Sequence, residues 1–287
     1  MISCWAAAPA AAQQGTLLIS ELLYQPRSGE AEYVELYNSS DASVDLAAYH
    51  IVRWVGDSLG KHYPLPSYTV GSHDYVVLTK DAASVEACFT VRYKEKLVEC
   101  SLPTYPNSGG SVILTSADSL IVDRFDYQPS MHSRMLRDKA GVSLERRSFE
   151  RPTSEAANWF SAASTAGFGT PTAPNSQSDE RLALNSDFEL SSTLFSPDGD
   201  GYQDELEISY RLDASDLVGD VDLYNAAGQR VRRVVGNALM GAAGTLRWDG
   251  LDDHGTRCTS GRYLLIIKLY NTGSTVQTLR RTVSIRY

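Results

Sequence analysis

The chain consists of short segments in which apolar and polar residues alternate, separated by Gly, Pro, Asn or Asp residues. Alternation with a period of two places successive side chains on opposite faces of a strand and is typical of half-buried β-strands. One segment, Asp81 to Cys88, is a fair candidate for a helix. The pattern therefore predicts an all-β fold of antiparallel sheets. The main predicted strands are 17–24, 32–37, 49–54, 74–78, 111–114, 121–125, 205–212, 221–224, 246–248, 263–270 and 279–285.

A stretch rich in Pro, Ser and Thr, residues 170–180, interrupts the strand pattern and is typical of an interdomain linker. With 287 residues, 43% of them apolar, the chain is about the length of two ordinary domains. We therefore predict two sandwiches in tandem. The expected division is a leader (1–15), a first domain (16–177), a linker (178–188) and a second domain (189–287).

The balance of charge is acidic, with a formal net charge of -9. This balance argues against general nucleic-acid or anionic-membrane binding, because both need a cationic surface. No apolar run of about 18 residues predicts a transmembrane helix. The first residues, 1–14, have the small-residue composition of the end of a secretory signal peptide. We read them as the tail of an export signal or as a fragment boundary, and less readily as a lipoprotein anchor at Cys4.

The four cysteines match no zinc-binding spacing, which needs close Cys pairs with further Cys or His partners. Cys88 and Cys100 leave two alternatives open. In an oxidising compartment they close a short loop with a disulfide; otherwise they are ordinary core thiols.

The segment 195–207, with the sequence FSPDGDGYQDELE, carries the one plausible metal site. Its clustered carboxylates supply the oxygen ligands that calcium prefers, and its glycines permit a tight backbone. The alternative is a solvated Asp-Gly turn. Because the flanks resemble strands, we expect an EF-hand-like loop on a β scaffold with a structural role. On the twelve-residue template the predicted calcium ligands are Ser196, Asp198, Asp200, the carbonyl of Tyr202, Asp204 and Glu207, with Asp249, Asp252 and Asp253 as more distant candidates.

The sequence offers no motif for catalysis. It has no G-x-S-x-G elbow, no H-E-x-x-H site and no Gly-rich loop leading a helix. Glu21, Glu32 and Glu35 invite a general acid/base reading, but strand alternation favours Glu35 as a hydrogen-bonded partner within a sheet. His132, close to Arg134, Arg137 and Asp138, is either part of an anion-binding loop or an ordinary polar loop residue. We therefore expect a protein without catalytic residues.

Several segments of the first half carry a family resemblance. Residues 18–21 (LISE) followed by 32–38 (EYVELYN) resemble the opening of the lamin tail domain. The resemblance covers about residues 16–177, and the sequence is similar to Bacteroidetes-type versions of that domain. It implies an immunoglobulin-like sandwich used for binding or scaffolding. Later elements that follow in order are 46–54, 75–78, 106–114, 121–127, 141–146, 151–153 and 158–163.

The second half resembles a different family. Residues 195–204 (FSPDGDGYQD), then 222–231 (DLYNAAGQRV), then Trp248-Asp249-Gly250 and finally 260–263 (SGRY) are similar to the immunoglobulin-like domain of flagellar hook-capping proteins and to type IX secretion-associated C-terminal domains. The resemblance implies that Trp248 packs in the core while Asp249 and Gly250 turn the chain.

Taken with the resemblances, the sequence predicts two immunoglobulin-like sandwiches in a non-enzymatic protein exported from a Gram-negative bacterium. The expected location is extracellular or on the outer-membrane surface, reached through the periplasm. The expected partners are a surface protein or glycan, or the secretion machinery. Two alternatives stay open: the second domain is a cleavable type IX delivery signal, or the chain is the accessory part of a larger secreted hydrolase or nuclease.

Overall fold

The computed structural model describes residues 16–271 and 275–287, with the side chains of Thr275 and Val276 left out. The expected leader with Cys4 lies outside the described residues, as does most of the hairpin turn expected at 271–273. Within the described chain the fold is all-β, and its strands form two groups of sheets. The predicted fold class, two immunoglobulin-like β-sandwiches, is confirmed.

The first sandwich has two main sheets. One has the strand order β10-β9-β2-β1-β13-β14 and the other β12-β11-β4-β7, with small two-stranded sheets β3-β8 and β5-β6 beside them. The strands are β1 (Leu17–Leu23), β2 (Tyr33–Asn38), β3 (Val44–Asp45), β4 (Tyr49–Val52), β5 (Trp54–Val55), β6 (Ser58–Leu59), β7 (Tyr63–Pro64), β8 (Thr69–Val70), β9 (Tyr75–Thr79), β10 (Leu97–Glu99), β11 (Gly110–Ser116), β12 (Ile121–Tyr127), β13 (Leu144–Arg146) and β14 (Trp159–Ser161).

The second sandwich packs a sheet of order β15-β17-β20 against one of order β16-β22-β21-β18-β19. All strand pairs of the two sandwiches are antiparallel except β9 with β10 and β16 with β22. The strands are β15 (Asp187–Leu190), β16 (Leu194–Phe195), β17 (Leu206–Arg211), β18 (Val218–Tyr224), β19 (Arg230–Leu239), β20 (Ala243–Trp248), β21 (Gly261–Tyr270) and β22 (Thr275–Ile285).

The one α-helix among the described residues, α1 (Ala82–Cys88), is the helix that the sequence predicted. Asp81 caps its N-terminus, because its side chain accepts a hydrogen bond from Ser84 N at 3.0 Å. Short 3₁₀ turns occur at Leu46–Ala48, Lys94–Lys96, Pro129–Met131, Ala156–Asn158, Ser164–Ala166 and Asp179–Arg181.

Each sandwich has its own apolar core. In the first, Phe125 stacks on Trp159 with ring centroids 3.5 Å apart. In the second, Trp248 is 1% exposed and lies between Phe195 and Tyr263, at centroid distances of 5.3 and 5.4 Å. The core position expected for Trp248 is therefore confirmed.

The thiols of Cys88 and Cys100 are free. Cys88 ends α1, whereas Cys100 packs against the first core beyond the end of β10. Of the two alternatives left open by the sequence, the structure has ordinary thiols.

The outer face of the six-stranded sheet is also covered, so every residue of β1 is buried. On one part of this face, Leu23 and Tyr33 pack against Val85 and Phe89, on α1 and at its end. The chain segment 170–177, here called the strap, covers the adjacent part.

The strap forms part of the stretch expected to be an interdomain linker, but it does not run through solvent. Thr172 and Asn175 are 1% exposed, Ser176 is 2% exposed and Gln177 is fully buried. The stretch lies between the two sandwiches in the chain, yet the strap packs as an extra layer on the first of them. It is buried because its polar groups have hydrogen-bond partners in the protein interior.

The strap also contacts the second sandwich. Ala242 N donates to the carbonyl oxygen of Ser176 at 2.7 Å, and Gln177 Nε2 donates to the carbonyl oxygen of Met240 at 3.1 Å. Beside it, the Thr165 hydroxyl lies 2.8 Å from Tyr210 Oη. The two sandwiches are thus docked through directed hydrogen bonds.

A buried ion pair fastens the first sandwich where β1, β12 and β13 meet. Arg146 is 1% exposed, and its Nη1 lies 3.4 Å from Asp123 Oδ2. The same Asp123 oxygen accepts a hydrogen bond from Ile19 N at 2.8 Å. Arg146 also donates to the carbonyl oxygens of Ser148 and Arg151, at 3.0 and 2.7 Å. One side chain therefore supplies donors to groups from several segments.

We predict that Arg146→Ala destabilises the first sandwich by about 3–5 kcal/mol, because it leaves Asp123 and several buried carbonyls without their donor. Denaturant unfolding followed by tryptophan fluorescence measures the loss. The matched control is Arg137→Ala, which removes an exposed arginine. Equal stability of the two variants would contradict the role assigned to the buried pair.

Candidate functional site

The acidic loop expected to hold calcium connects the two sheets of the second sandwich. It leaves β16 after Phe195 and enters β17 at Leu206. β16 pairs with β22 in one sheet, whereas β17 pairs with β20 in the other. Gly199 and Gly201 have φ angles of 88° and 89°, a left-handed conformation that glycine adopts without steric cost. The loop therefore turns tightly at one end of the sandwich.

Three aspartates of this loop come together. Asp198, Asp200 and Asp204 each place a carboxylate oxygen within 4.8 Å of the others. Asp204 closes the loop, since its two oxygens accept hydrogen bonds from Gly199 N at 2.6 Å and Gly201 N at 2.8 Å. Calcium binds oxygen at about 2.3–2.6 Å, so ligands on opposite sides of the ion lie about 5 Å apart. The spacing and chemistry of the three carboxylates fit such an ion.

Glu207, the expected last ligand of the template, does not join this cluster. The loop ends where β17 begins, and Glu207 faces Arg247 of β20 across the sheet. Glu207 Oε1 lies 2.7 Å from Arg247 Nη2, and Glu205 Oε2 lies 3.2 Å from Nη1 of the same guanidinium. Glu207 in β17 and Glu205 just before it therefore both pair with Arg247 on the sheet surface.

The other expected ligands lie around the aspartates. Ser196 Oγ donates to Asp198 Oδ2 at 3.1 Å, which places it at the edge of the cluster. Tyr202 N donates to Asp200 Oδ1 at 2.7 Å, while its ring is 70% exposed. The acidic turn 249–253 is engaged elsewhere, since its carboxylates accept backbone hydrogen bonds outside the loop.

A second acidic cluster is buried in the first sandwich. Glu145 of β13, Glu21 of β1 and Glu35 of β2 lie in a row across neighbouring strands, with Glu21 in register with both others. All three residues are 0% exposed. Like charges directly opposite each other destabilise a sheet, and burying an ionised carboxylate costs more still. The row is therefore stable only if protons or hydrogen bonds offset its charge.

The strap supplies hydrogen bonds to every member of the row. The donor–acceptor distances lie between 2.7 and 3.3 Å, so these are ordinary bonds made by backbone N–H groups and hydroxyls. On Glu21 the donor is the Thr170 N–H, and on Glu35 it is the Thr172 N–H. On Glu145 the donors are the Ser176 hydroxyl and the Gln177 N–H. The Thr170 hydroxyl lies 3.2 Å from Glu21 and 2.8 Å from Glu145 and shares its one proton between them.

Burial raises the pKa of all three glutamates. The pKa of Glu21 rises to about 7, because burial and the neighbouring Glu145 charge outweigh hydrogen bonds from surrounding groups. Burial and the Glu21 charge raise the pKa of Glu35 well above its usual range. Glu35 Oε1 has no hydrogen-bond partner among the described residues, which suits a protonated carboxyl group. The row therefore keeps protons that free glutamates lose near pH 4.5.

The sequence left two interpretations of Glu21, Glu32 and Glu35, general acid/base catalysis or hydrogen bonding within the protein, and the contacts favour the second. Glu35 is a hydrogen-bonded partner inside the protein, as predicted, and Glu21 has the same role. Glu32 is half-buried, accepts a hydrogen bond from Tyr105 N at 3.1 Å, and lies 3.9 Å from Lys80 Nζ. All three carboxylates are thus engaged by groups of the protein itself.

His132 is buried rather than displayed on a polar loop. It is 3% exposed, and its Nδ1 lies 2.8 Å from Ser161 Oγ. Burial, aided by the charge of Lys139, lowers the pKa of His132 to about 4. A neutral imidazole at this position offers no charge to an anion, so the structure favours the structural reading.

Sequence reasoning missed Glu145 and the strap donors that bind the three glutamates. One signal was available: residues 170–177 are rich in the donors Thr, Ser, Asn and Gln, and the predicted strands 17–24 and 32–37 carry Glu21 and Glu35 as acceptors. The same composition is typical of an exposed linker, so it does not identify a buried segment by itself.

A family model described as the lamin tail domain matches residues 10–129. The resemblance of the first sandwich to that family is therefore supported over these residues. No curated protein matches the chain. The resemblance of the second sandwich to hook-capping domains stays a prediction.

Solved structures with similar regions include latent PorU from Porphyromonas gingivalis, at 11% identity and a TM-score of 0.28, with 95% of this chain covering 20% of that one. PorZ, a surface component of the type-IX secretion system of Porphyromonas gingivalis, matches at 12% identity and a TM-score of 0.28. The match covers 94% of this chain and 30% of PorZ. The exo-chitosanase CsxA of Amycolatopsis orientalis matches at 14% identity and a TM-score of 0.23, and the match covers 92% of this chain and 26% of that one. The chain spans less than a third of each, and likeness at these scores carries no argument about function.

We predict that calcium raises the melting temperature of the second sandwich. At a hundredfold excess over the dissociation constant, binding to the native state adds about 2.7 kcal/mol, a rise on the order of 10 °C. Asp200→Asn should abolish the rise, whereas Glu189→Gln, an exposed acid outside the loop, should keep it. Identical melts of the wild-type protein in EDTA and calcium would contradict a calcium site.

We also predict that the first sandwich loses stability between about pH 4.5 and 7. Over this range the unfolded chain releases glutamate protons that the folded chain keeps, so rising pH favours unfolding, by about 3 kcal/mol for Glu21. Glu35→Gln removes one such proton and should flatten the decline, making the variant more stable than wild type at pH 8. Both proteins share the other carboxylates, so the difference between their unfolding free energies at each pH cancels the contribution of those groups.

The control for this titration is Glu95→Gln, which changes an exposed glutamate of the same sandwich. Its curve of unfolding free energy against pH should parallel the wild-type curve. Parallel curves for Glu35→Gln and wild type would contradict a raised pKa at Glu35.

Proposed function

We propose that this chain is a non-enzymatic binding or scaffolding protein that is exported and works outside the cell or on the outer-membrane surface. The observation that carries the proposal is the docking of two β-sandwiches through a buried strap. Such docking holds the exposed faces of both sandwiches at a fixed separation. A fixed separation suits a protein that positions partners, and flexible tethering would not provide it.

The contacts on both sides of the strap support a permanent arrangement. Toward the first sandwich the strap donates to the buried glutamates, and toward the second it exchanges hydrogen bonds with the segment 240–242. Separating the sandwiches would leave Gln177 and its neighbours without these partners. Water would replace these partners, and each protein hydrogen bond is worth about 0.5–1.5 kcal/mol net of the bond to water, which opposes separation.

Calcium has a structural role in this proposal. Asp198, Asp200 and Asp204 would hold the ion, and Ser196 lies at the edge of their cluster. The ion would neutralise three neighbouring carboxylates in the loop that joins the two sheets of the second sandwich. Stiffening this connection would stabilise the sandwich without any part in a reaction.

The expected partners are a protein or glycan at the cell surface, or the secretion machinery. The acidic net charge of -9 disfavours nucleic acid. In the described part of the chain, none of the helices has the length and apolar character of a membrane span.

The alternative for the second sandwich is a type IX delivery signal that is removed after export. Removal of residues 189–287 would expose Ser176 and Gln177, which are 2% and 0% exposed in the whole chain. The docking therefore favours a retained module.

Mass-spectrometric mapping of the mature protein in cytoplasmic, outer-membrane and medium fractions of the source cells tests the proposal. We expect peptides from both sandwiches, in equal amounts, in the surface or medium fraction. Surface protein that lacks residues 189–287 would instead support the delivery signal. Confinement of the intact chain to the cytoplasm would contradict export.

A further inference from the structure

The last part of the chain has a charge opposite to that of the whole. Residues 261–287 contain five basic residues and no acidic one, in a protein of net charge -9. The strands β21 and β22 lie within this stretch and pair along most of their length. The basic residues are Arg262, Lys268, Arg280, Arg281 and Arg286.

Strand alternation places part of this charge on one exposed face. Leu265 and Ile267 of β21 point into the core, so Leu264 and Ile266 between them lie on the outer face. Arg280 of β22 pairs in register with Ile266 and therefore lies on the same face. Arg262 lies two residues before Leu264 on this face.

The two arginines beside Leu264 and Ile266 have no acidic partner among the described residues. Arg262 and Arg280 form no ion pair with any described residue, whereas Arg281 pairs with Asp187 and Arg233 with Asp222. The unpaired guanidiniums lie on either side of a half-exposed apolar pair, Leu264 and Ile266.

The surface around Leu264 is concave on both sides. One groove of about 550 Å³ is lined by Leu190, Leu264, Arg280 and neighbouring residues. A second groove of about 550 Å³ is lined by Tyr224, Arg262, Leu264 and Ile266, with others. Leu264 and Thr282 contribute to both grooves and form the ridge between them.

We propose that this outer face of β21 and β22 is a docking surface for an extended, acidic segment of a partner protein. The unpaired guanidiniums complement carboxylates, and the grooves take apolar side chains that alternate with them along a strand. The period of two on the surface matches the period of two in an extended chain.

The same face is poorly suited to a uniform polyanion. Asp220 of β18 lies in the same outer rows, in register with Lys268, and the exposed Glu189 lines the first groove. These carboxylates repel a ligand that is negative along its whole length, whereas an alternating segment places neutral residues against them. The proposal goes beyond the proposed function, because it concerns a face that neither the strap nor the calcium loop uses.

Fluorescence anisotropy with the full chain tests the surface. The probe is a labelled ten-residue peptide of alternating glutamate and valine, compared with glutamate–serine and lysine–valine peptides of equal length. We expect saturable binding of the glutamate–valine peptide and at least tenfold weaker binding of both others. Arg280→Glu and Leu264→Ser should each weaken binding at least tenfold.

Arg211→Glu is the matched control, because it makes the same charge change on an exposed strand residue of the opposite sheet. It should leave binding unchanged. Arg262→Glu replaces Arg280→Glu if the latter fails to melt as wild type does. Absence of saturable binding, equal binding of the glutamate–serine peptide, stronger binding to vesicles of phosphatidylglycerol, or equal loss in Arg211→Glu would each overturn the proposal.

Discussion

The path of the strap and the docking of the two sandwiches depend on a row of three buried glutamates, Glu145, Glu21 and Glu35. Three carboxylates in register on adjacent strands repel one another when ionised, and their burial removes the water that would screen them. The described residues offset this with retained protons and with a layer of donors rather than with a buried cation. The strap is that layer. Its fixed path follows from the need to satisfy the row.

The arrangement of the two sandwiches depends on the strap in turn. Once the Ser176 hydroxyl and the Gln177 N–H bind Glu145, the Ser176 carbonyl and the Gln177 side chain are positioned to meet the segment 240–242 of the second sandwich. A polar stretch that would otherwise be a flexible tether thus becomes an interface. The working surfaces, including the aspartate loop and the outer face of β21 and β22, are then carried on one docked body. Their relative positions are set by hydrogen bonds deep in the first sandwich.

The sequence predicted most of the longer strands, because a period of two is visible wherever one face is buried. It missed β19 (Arg230–Leu239), an edge strand whose exposed arginines hide the alternation. It also missed the buried strap, because Thr, Ser, Asn and Gln are the residues of both solvated linkers and donors to buried carboxylates. The three aspartates of the loop were found since their spacing is local. The placement of Glu207 was not, because its partner Arg247 is brought close only by the pairing of β17 with β20.

Amide hydrogen exchange of the strap tests the central claim most directly. If the buried glutamates hold the strap, the N–H groups of Thr170, Thr172 and Gln177 should exchange as slowly as those of β1 near neutral pH. Their protection should fall as the pH rises past about 7, where Glu21 loses its proton, before the protection of β1 falls. Rapid exchange of the strap at every pH, with β1 still protected, would show an ordinary flexible linker and contradict the account.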